Sequence, residues 1–173
     1  MKKLLMIAAV AVFGLSSVNA QNAQFGLTAG YLSATGSAES GGISISATES
    51  GFYIGGVADI EISDVFHVQP EVVYASTGDD GGDGIAIPIM AKYYVSDKFN
   101  IQAGPHFDIS LEDIPEDFTG FGISLGAGLG YDIDDNFFAE ARYSFQLNDY
   151  YTGDLDVSTT TNLLMVGVGY KFN

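Results

Sequence analysis

The chain of 173 residues has no cysteine and no tryptophan, and only 6 of its residues are lysine or arginine. Without cysteine there is neither a disulfide framework nor a lipoprotein acylation site. Against those 6 bases stand 22 Asp and Glu, giving a net charge of −16. Such a surface is a poor partner for nucleic acid, whose binding rests on neutralising phosphates. There are only two histidines, His67 and His106. They share no metal-ligand spacing, and neither has a serine or cysteine at catalytic spacing, so no metal, cofactor or nucleophilic centre is expected. No apolar run long enough for a membrane-spanning helix follows residue 20.

Residues 1–20 read as a signal peptide. Lys2 and Lys3 form a basic start, Leu4 to Leu15 an apolar stretch, and Val18-Asn19-Ala20 a small-residue cleavage site before Gln21. Two of the six bases leave with it, so residues 21–173 form one secreted, strongly acidic domain.

What fills that domain is alternation. In the run from Phe66 to Tyr74, Phe66, Val68, Pro70, Val72 and Tyr74 share one face, while His67, Gln69 and Glu71 share the other. The same period of two predicts strands over about 23–33, 51–62, 85–95, 99–110, 121–132, 137–147 and 161–172. The second face of each is polar or small. Residues Gly122, Ser124, Gly126, Gly128 and Gly130 between Phe121 and Tyr131 show it most plainly. This is the pattern of a barrel with lipid outside and a polar lumen.

Connections alternate in length. Ser63-Asp64-Val65, Ser96-Asp97-Lys98 and Asp134-Asp135-Asn136 are tight turns, whereas links near 34–50, 77–84, 111–119 and 148–160 are long and rich in Gly, Ser, Thr and Asp. Short periplasmic turns and long extracellular loops are the asymmetry of outer-membrane barrels, and an even strand count leaves both termini periplasmic. Outward aromatics gather near both strand ends, as interfacial girdles require. A soluble, lipocalin-like barrel with the charged face outside has the same periodicity but lacks a reason for the girdles, the glycine-rich face and the loop asymmetry. The fold class is therefore an all-β, eight-stranded antiparallel transmembrane barrel.

Several segments carry a family resemblance. Gly51-Phe-Tyr-Ile-Gly-Gly56, Val68-Gln-Pro-Glu-Val-Val-Tyr74, Ile87-Pro-Ile-Met-Ala-Lys-Tyr-Tyr94 and Phe99-Asn-Ile-Gln-Ala-Gly-Pro105 resemble the PorT-like branch of the outer-membrane β-barrel domain family. Glu140-Ala-Arg-Tyr-Ser-Phe145 and Gly167-Val-Gly-Tyr-Lys-Phe172 resemble the same branch and, more loosely, OmpX and the OmpA membrane domain. The resemblance spans the mature chain. It implies an eight-stranded barrel of the bacterial outer membrane, surrounded by its lipids and lipopolysaccharide and inserted by the barrel-assembly machinery. It implies no single activity, because the family includes structural barrels, adhesion-related proteins and a secretion-system component.

The inward charges form the one candidate constellation: Asp59, Glu61, Glu71, Asp108, Asp132 and Glu140 with Lys92, Arg142 and Lys171. Charges in a narrow bore must be paired or hydrated, so a rigidifying polar network is expected. Glu140 and Arg142 share a face about 7 Å apart, and Arg142 is expected to fork onto a carboxylate of a neighbouring strand. Outside the bore, the long links hold twelve acids (Glu39, Glu49, Asp79, Asp80, Asp83, Glu112, Asp113, Glu116, Asp117, Asp149, Asp154 and Asp156) and no Lys or Arg. Thr77-Gly-Asp-Asp-Gly-Gly-Asp-Gly84 lacks the spacing of a calcium loop. Residues 34–50 offer an extension of the first two strands with an edge that recruits a partner strand.

The expected function is non-enzymatic, structural or surface-interacting through the acidic loops, with an envelope or surface protein as partner. The rivals are a narrow pore, an accessory part of a secretion or envelope-assembly machine and, last, a lipid A-modifying enzyme.

Overall fold

The computed structural model describes residues 23–78, 82–153, 155 and 157–172. The signal peptide, Asp79, Asp80, Asp154 and Asp156 lie outside the described residues. Eight strands, each hydrogen-bonded to its sequence neighbours, close into a barrel through β1 and β8. They are β1 (Ala23–Ser40), β2 (Ile43–Ser63), β3 (Phe66–Ser76), β4 (Asp83–Tyr94), β5 (Phe99–Ser110), β6 (Phe121–Asp132), β7 (Phe137–Gln146) and β8 (Val157–Lys171). Closure removes every edge within the membrane band, where no water is available to satisfy a free backbone group.

Alternation sorts the side chains as the period of two requires. On β6, Leu125 is 52% exposed on the lipid face and its neighbour Ser124 is buried in the lumen. At the short-turn end, Asp134 closes the β6–β7 turn. Its carboxylate accepts the backbone N–H groups of Asn136 (2.9 Å) and Phe137 (2.8 Å). Those two donors hold its carboxyl below the usual range.

One expectation is met and two are corrected. As the reading of an extension expects, β1 and β2 run through residues 34–50 to a two-residue turn at Gly41-Gly42. Both glycines have positive φ, 56° and 79°, the type I′ geometry that fits the twist of a hairpin. β8, however, begins at Val157, paired with Ser40 at the top of β1. The lumen, finally, is not polar throughout. Leu32, Tyr53, Val73, Ala86, Leu163 and Met165 form an apolar cluster toward the long-connection end. Met165 is the register partner of Arg142, so the cluster begins beside the charged layer, and the Tyr53 hydroxyl buried with it has no hydrogen-bond partner among the described residues.

Glycine makes room for the large inward side chains. A Cβ at Gly167 would lie 2.1 Å from the Tyr53 hydroxyl, and one at Gly169 would lie 2.1 Å from the Phe138 ring. The glycine-rich face is thus the set of recesses into which the bulkiest lumen residues fit.

Leu125→Arg places a charge on the lipid face and should destabilise the barrel by about 2–4 kcal/mol if the site lies at the midplane. The measurement is urea unfolding followed by heat-modifiable gel mobility; unchanged stability would show the facing to be wrong. Ser124→Arg, one residue away, should instead fail by crowding the lumen.

Candidate functional site

The inward charges meet in two layers joined by one amide. Nearest the short-turn end, His67 Nδ1 lies 2.6 Å and Lys92 Nζ 2.8 Å from the two oxygens of Asp59. Lys171 adds a second base at 3.7 Å from Asp59 and 3.4 Å from Asp132. The Tyr94 hydroxyl donates to Asp132 at 2.7 Å. Phe138 lies between the two lysines, with Nζ atoms 5.8 and 5.9 Å from its ring centre, a favourable cation–π geometry.

The second layer is built on Arg142. Both guanidinium Nη atoms approach Glu71 at 2.8 Å, and Nη2 also contacts Glu140. Gln69 Nε2 donates to Glu71 (2.6 Å) and Glu140 (3.1 Å), while its Oε1 accepts from Lys92 (2.8 Å). Gln69 therefore joins the layers into one network crossing β2, β3, β4, β6, β7 and β8. The reach of Arg142 corrects the expected fork onto a neighbouring strand. Its register partners on β6 and β8 are Gly128 and Met165, which offer no carboxylate, so the guanidinium crosses the bore to β3.

Glu61 is corrected as well. It is exposed and makes no ion pair among the described residues. The β2–β3 register shifts between Glu61 and Ser63, and this irregularity at the strand end releases Glu61 from the lumen.

Asp108 stands apart. The other inward carboxylates Asp59, Glu71, Asp132 and Glu140 each contact Lys or Arg. Among the described residues, the one ion-pair contact of Asp108 is His106, whose Nε2 is 3.2 Å away without a hydrogen bond. The opposite ring nitrogen of His106 lies 2.8 Å from Ser144 Oγ, so the fold brings together a Ser–His–Asp line that sequence spacing did not show. Ser144 and His106 are each 2% exposed, and the mouth cavity is lined by Asp108 but by neither of them. An acyl substrate has no approach to Ser144 along that cavity.

Above the barrel, β1, β2 and β8 continue as a three-stranded sheet. β3 pairs with β2 only up to Phe52, leaving about nine residues of β2, roughly 30 Å of strand, paired with β1 alone among the described residues. One face carries a hydroxyl ladder, with Tyr31–Ser50 at 2.7 Å and Thr35–Thr48 and Ser37–Ser46 at 3.0 Å. On the other face lie Ala34, Gly36, Ala38, Ala47, Ile43 and Ile45, the two isoleucines 72% and 68% exposed. The far side of β8 is covered: Tyr150 donates its N–H to Thr159 O (2.9 Å), and Thr119 donates to Tyr150 O (2.8 Å). Burial pushes the Tyr150 phenol up to about 12, with the charge of Asp108 adding to the shift.

Sequence reasoning missed Tyr53, Phe138 and Tyr94 as interior partners, and set Ser144 on the inward face without its His106 partner. Tyr53 and Phe138 follow strictly from the period of two, whose parity at those positions outweighs their apolar character.

No curated protein sequence matches the chain. Among solved structures, Ail, the attachment invasion locus protein of Yersinia pestis, is similar with a TM-score of 0.53 and 18% identity, covering 88% of this chain and 100% of Ail. OprG from Pseudomonas aeruginosa matches at 0.47 and 13% identity, over 88% of this chain and 97% of OprG. Neisserial surface protein A matches at 0.47 and 18%, over 88% of this chain and 100% of that one. At these identities the likeness is one of fold.

Removing Arg142 should leave Glu71 and Glu140 buried without a counter-charge. Arg142→Ala is expected to cost about 3–5 kcal/mol in urea unfolding. The triple variant Arg142→Met, Glu71→Leu, Glu140→Leu should regain most of that loss; if it does not, the network contributes more than neutralisation.

The model of the outer membrane protein beta-barrel domain matches residues 5–173, and with the closed eight-stranded barrel in view the chain belongs to that family.

Proposed function

We propose that the chain is a non-enzymatic barrel of the bacterial outer membrane that binds an envelope or surface protein through its long-connection end. In this reading that end faces outward, both termini are periplasmic, and the motif set quoted above marks the PorT-like branch. Outer-membrane lipids and lipopolysaccharide surround the barrel, and the barrel-assembly machinery inserts it.

The observation that carries the reading is the edge of β2 from Ile43 to Gly51, which among the described residues is paired with β1 alone and is touched at its lower end by Thr77 on Glu49. Natural sheets guard exposed edges with lysine, proline or bulges. The segment Ile43-Ser-Ile-Ser-Ala-Thr-Glu-Ser-Gly51 contains neither lysine nor proline, and it pairs with β1 without a bulge. An extended segment added here gains backbone hydrogen bonds and finds apolar and hydroxyl side chains on alternate faces. Glu39 and Glu49 flank the edge, and the long connections hold no base. Two copies of such an edge repel, whereas a basic strand is attracted.

The filled bore argues against a narrow pore. Glu71, Arg142, Gln69 and Lys92 are all at least 97% buried across it, and eight strands enclose little more than their own side chains.

The test uses the mature chain in liposomes and an alternating Lys-Val decapeptide as probe. In a two-residue hairpin the alternate N–H groups of Ser44, Ser46 and Thr48 point away from β1, so Ser46→Pro removes an outward donor. Wild-type liposomes should bind the probe at least tenfold more tightly than Ser46→Pro liposomes, with no steady channels in planar bilayers. Equal binding by the two, or reproducible channels, would sink the proposal.

A further inference from the structure

The mouth of the barrel holds a cavity that the edge does not use. It measures about 170 Å³ and is lined by residues of β1, β3, β4, β5 and β8 together with Glu112 and Tyr150. This is well below the roughly 300–1,000 Å³ of sites for drug-sized ligands; one long side chain suits it better. Leu32, Ala34, Ala75 and Leu163 give its walls an apolar part, and Thr77, Ser110 and Thr161 a polar one. At its depth lies Asp108, level with Ala86 of the buried apolar cluster. Asp83 and Glu112 line the rim, where the Glu112 carboxylate accepts the Asp83 backbone N–H at 3.0 Å.

The charge pattern of this cavity is one-sided. Asp108 is the inward carboxylate that no lysine or arginine reaches among the described residues. No base lies anywhere in the long connections. A largely buried carboxylate beside apolar walls is stabilised by a permanent cation brought to it, and among the described residues the chain offers Asp108 the His106 ring but no lysine or arginine.

We infer that the barrel mouth is a socket for a single arginine side chain of the protein partner, the guanidinium on Asp108 and its stem along Leu32 and Leu163. Arginine fits better than lysine on three counts. Its planar fork pairs with a carboxylate through two parallel bonds. It is more weakly hydrated, so it loses less on entering. It also stacks on an aromatic face, and Tyr150 lines the cavity. Arginines that fill central pockets are among the residues that dominate interface energetics. The socket rests on the outward orientation proposed above and adds to it the chemistry of the partner's anchor.

The experiment titrates N-acetyl-arginine methylamide into the mature barrel in nanodiscs of zwitterionic lipid, followed by NMR. The citrulline counterpart, equal in shape but uncharged, is the control. Saturable shifts at Ala86 and Leu163 are expected with the arginine compound, at least fivefold weaker with citrulline, and weaker again in 0.5 M salt. Asp108→Asn should remove the preference for arginine over citrulline. Ala34→Phe, which fills the cavity and keeps every carboxylate, should abolish binding of both and guards against a folding defect in the first variant. Equal affinity for the two compounds, or arginine binding untouched by both variants, would overturn the socket. Strand pairing is read with Ser46→Pro and the socket with Asp108→Asn, so either reading can fail alone.

Discussion

The pairing of Arg142 with Glu71 and Glu140 is the interaction on which the interior depends. A guanidinium and two carboxylates buried in a bore of eight strands are tolerable only as a set, because each alone carries the full cost of desolvation. Once Arg142 crosses to β3, Gln69 is held by both carboxylates and by Lys92, and Lys92 in turn is held on Asp59. The rest of the lumen packs around that fixed frame. Phe138 fits between Lys92 and Lys171, and Tyr53 fits the recess at Gly167.

The sheet shows why the outer surface was legible in the sequence and the interior less so. Lipid facing is a property of each strand by itself: Phe121, Ile123, Leu125 and Leu129 alternate with small residues, and nothing elsewhere in the chain alters that. Tyr53 and Phe138 carry side chains that suit either face, and only their place in the alternation decides. The fork of Arg142 was beyond reach for a different reason. Which carboxylate it meets depends on what the flanking strands lack, Gly128 on one side and Met165 on the other, and a single strand does not state its neighbours' register. The Ser144–His106–Asp108 line likewise depends on register, joining residues of β5 and β7 across β6.

The two ends of the barrel use opposite economies. At the short-turn end, turns such as the one closed by Asp134 satisfy their own backbone, and the charges above them neutralise one another. The long-connection end leaves both kinds of bond incomplete. Among the described residues, β2 has backbone groups without a partner strand, and Asp108 has no lysine or arginine. Both incomplete features lie on the same end of the molecule, and both are polar surfaces beside apolar ones: Ile43 and Ile45 next to the free strand, Leu32 and Leu163 next to the carboxylate.

The span of the Arg142–Glu71 pair also bears on the order in which the barrel is made. The two residues are 71 positions apart, so a chain assembling hairpin by hairpin carries Glu71 uncompensated through several strand additions. Local hairpins alone cannot neutralise it, and contacts between distant segments form late and slowly. Glu71 therefore lacks its guanidinium until β7 is in place, one strand short of the ring's completion by β8. An incomplete barrel pays a charge penalty that a closed one does not, which makes closure itself the cooperative step.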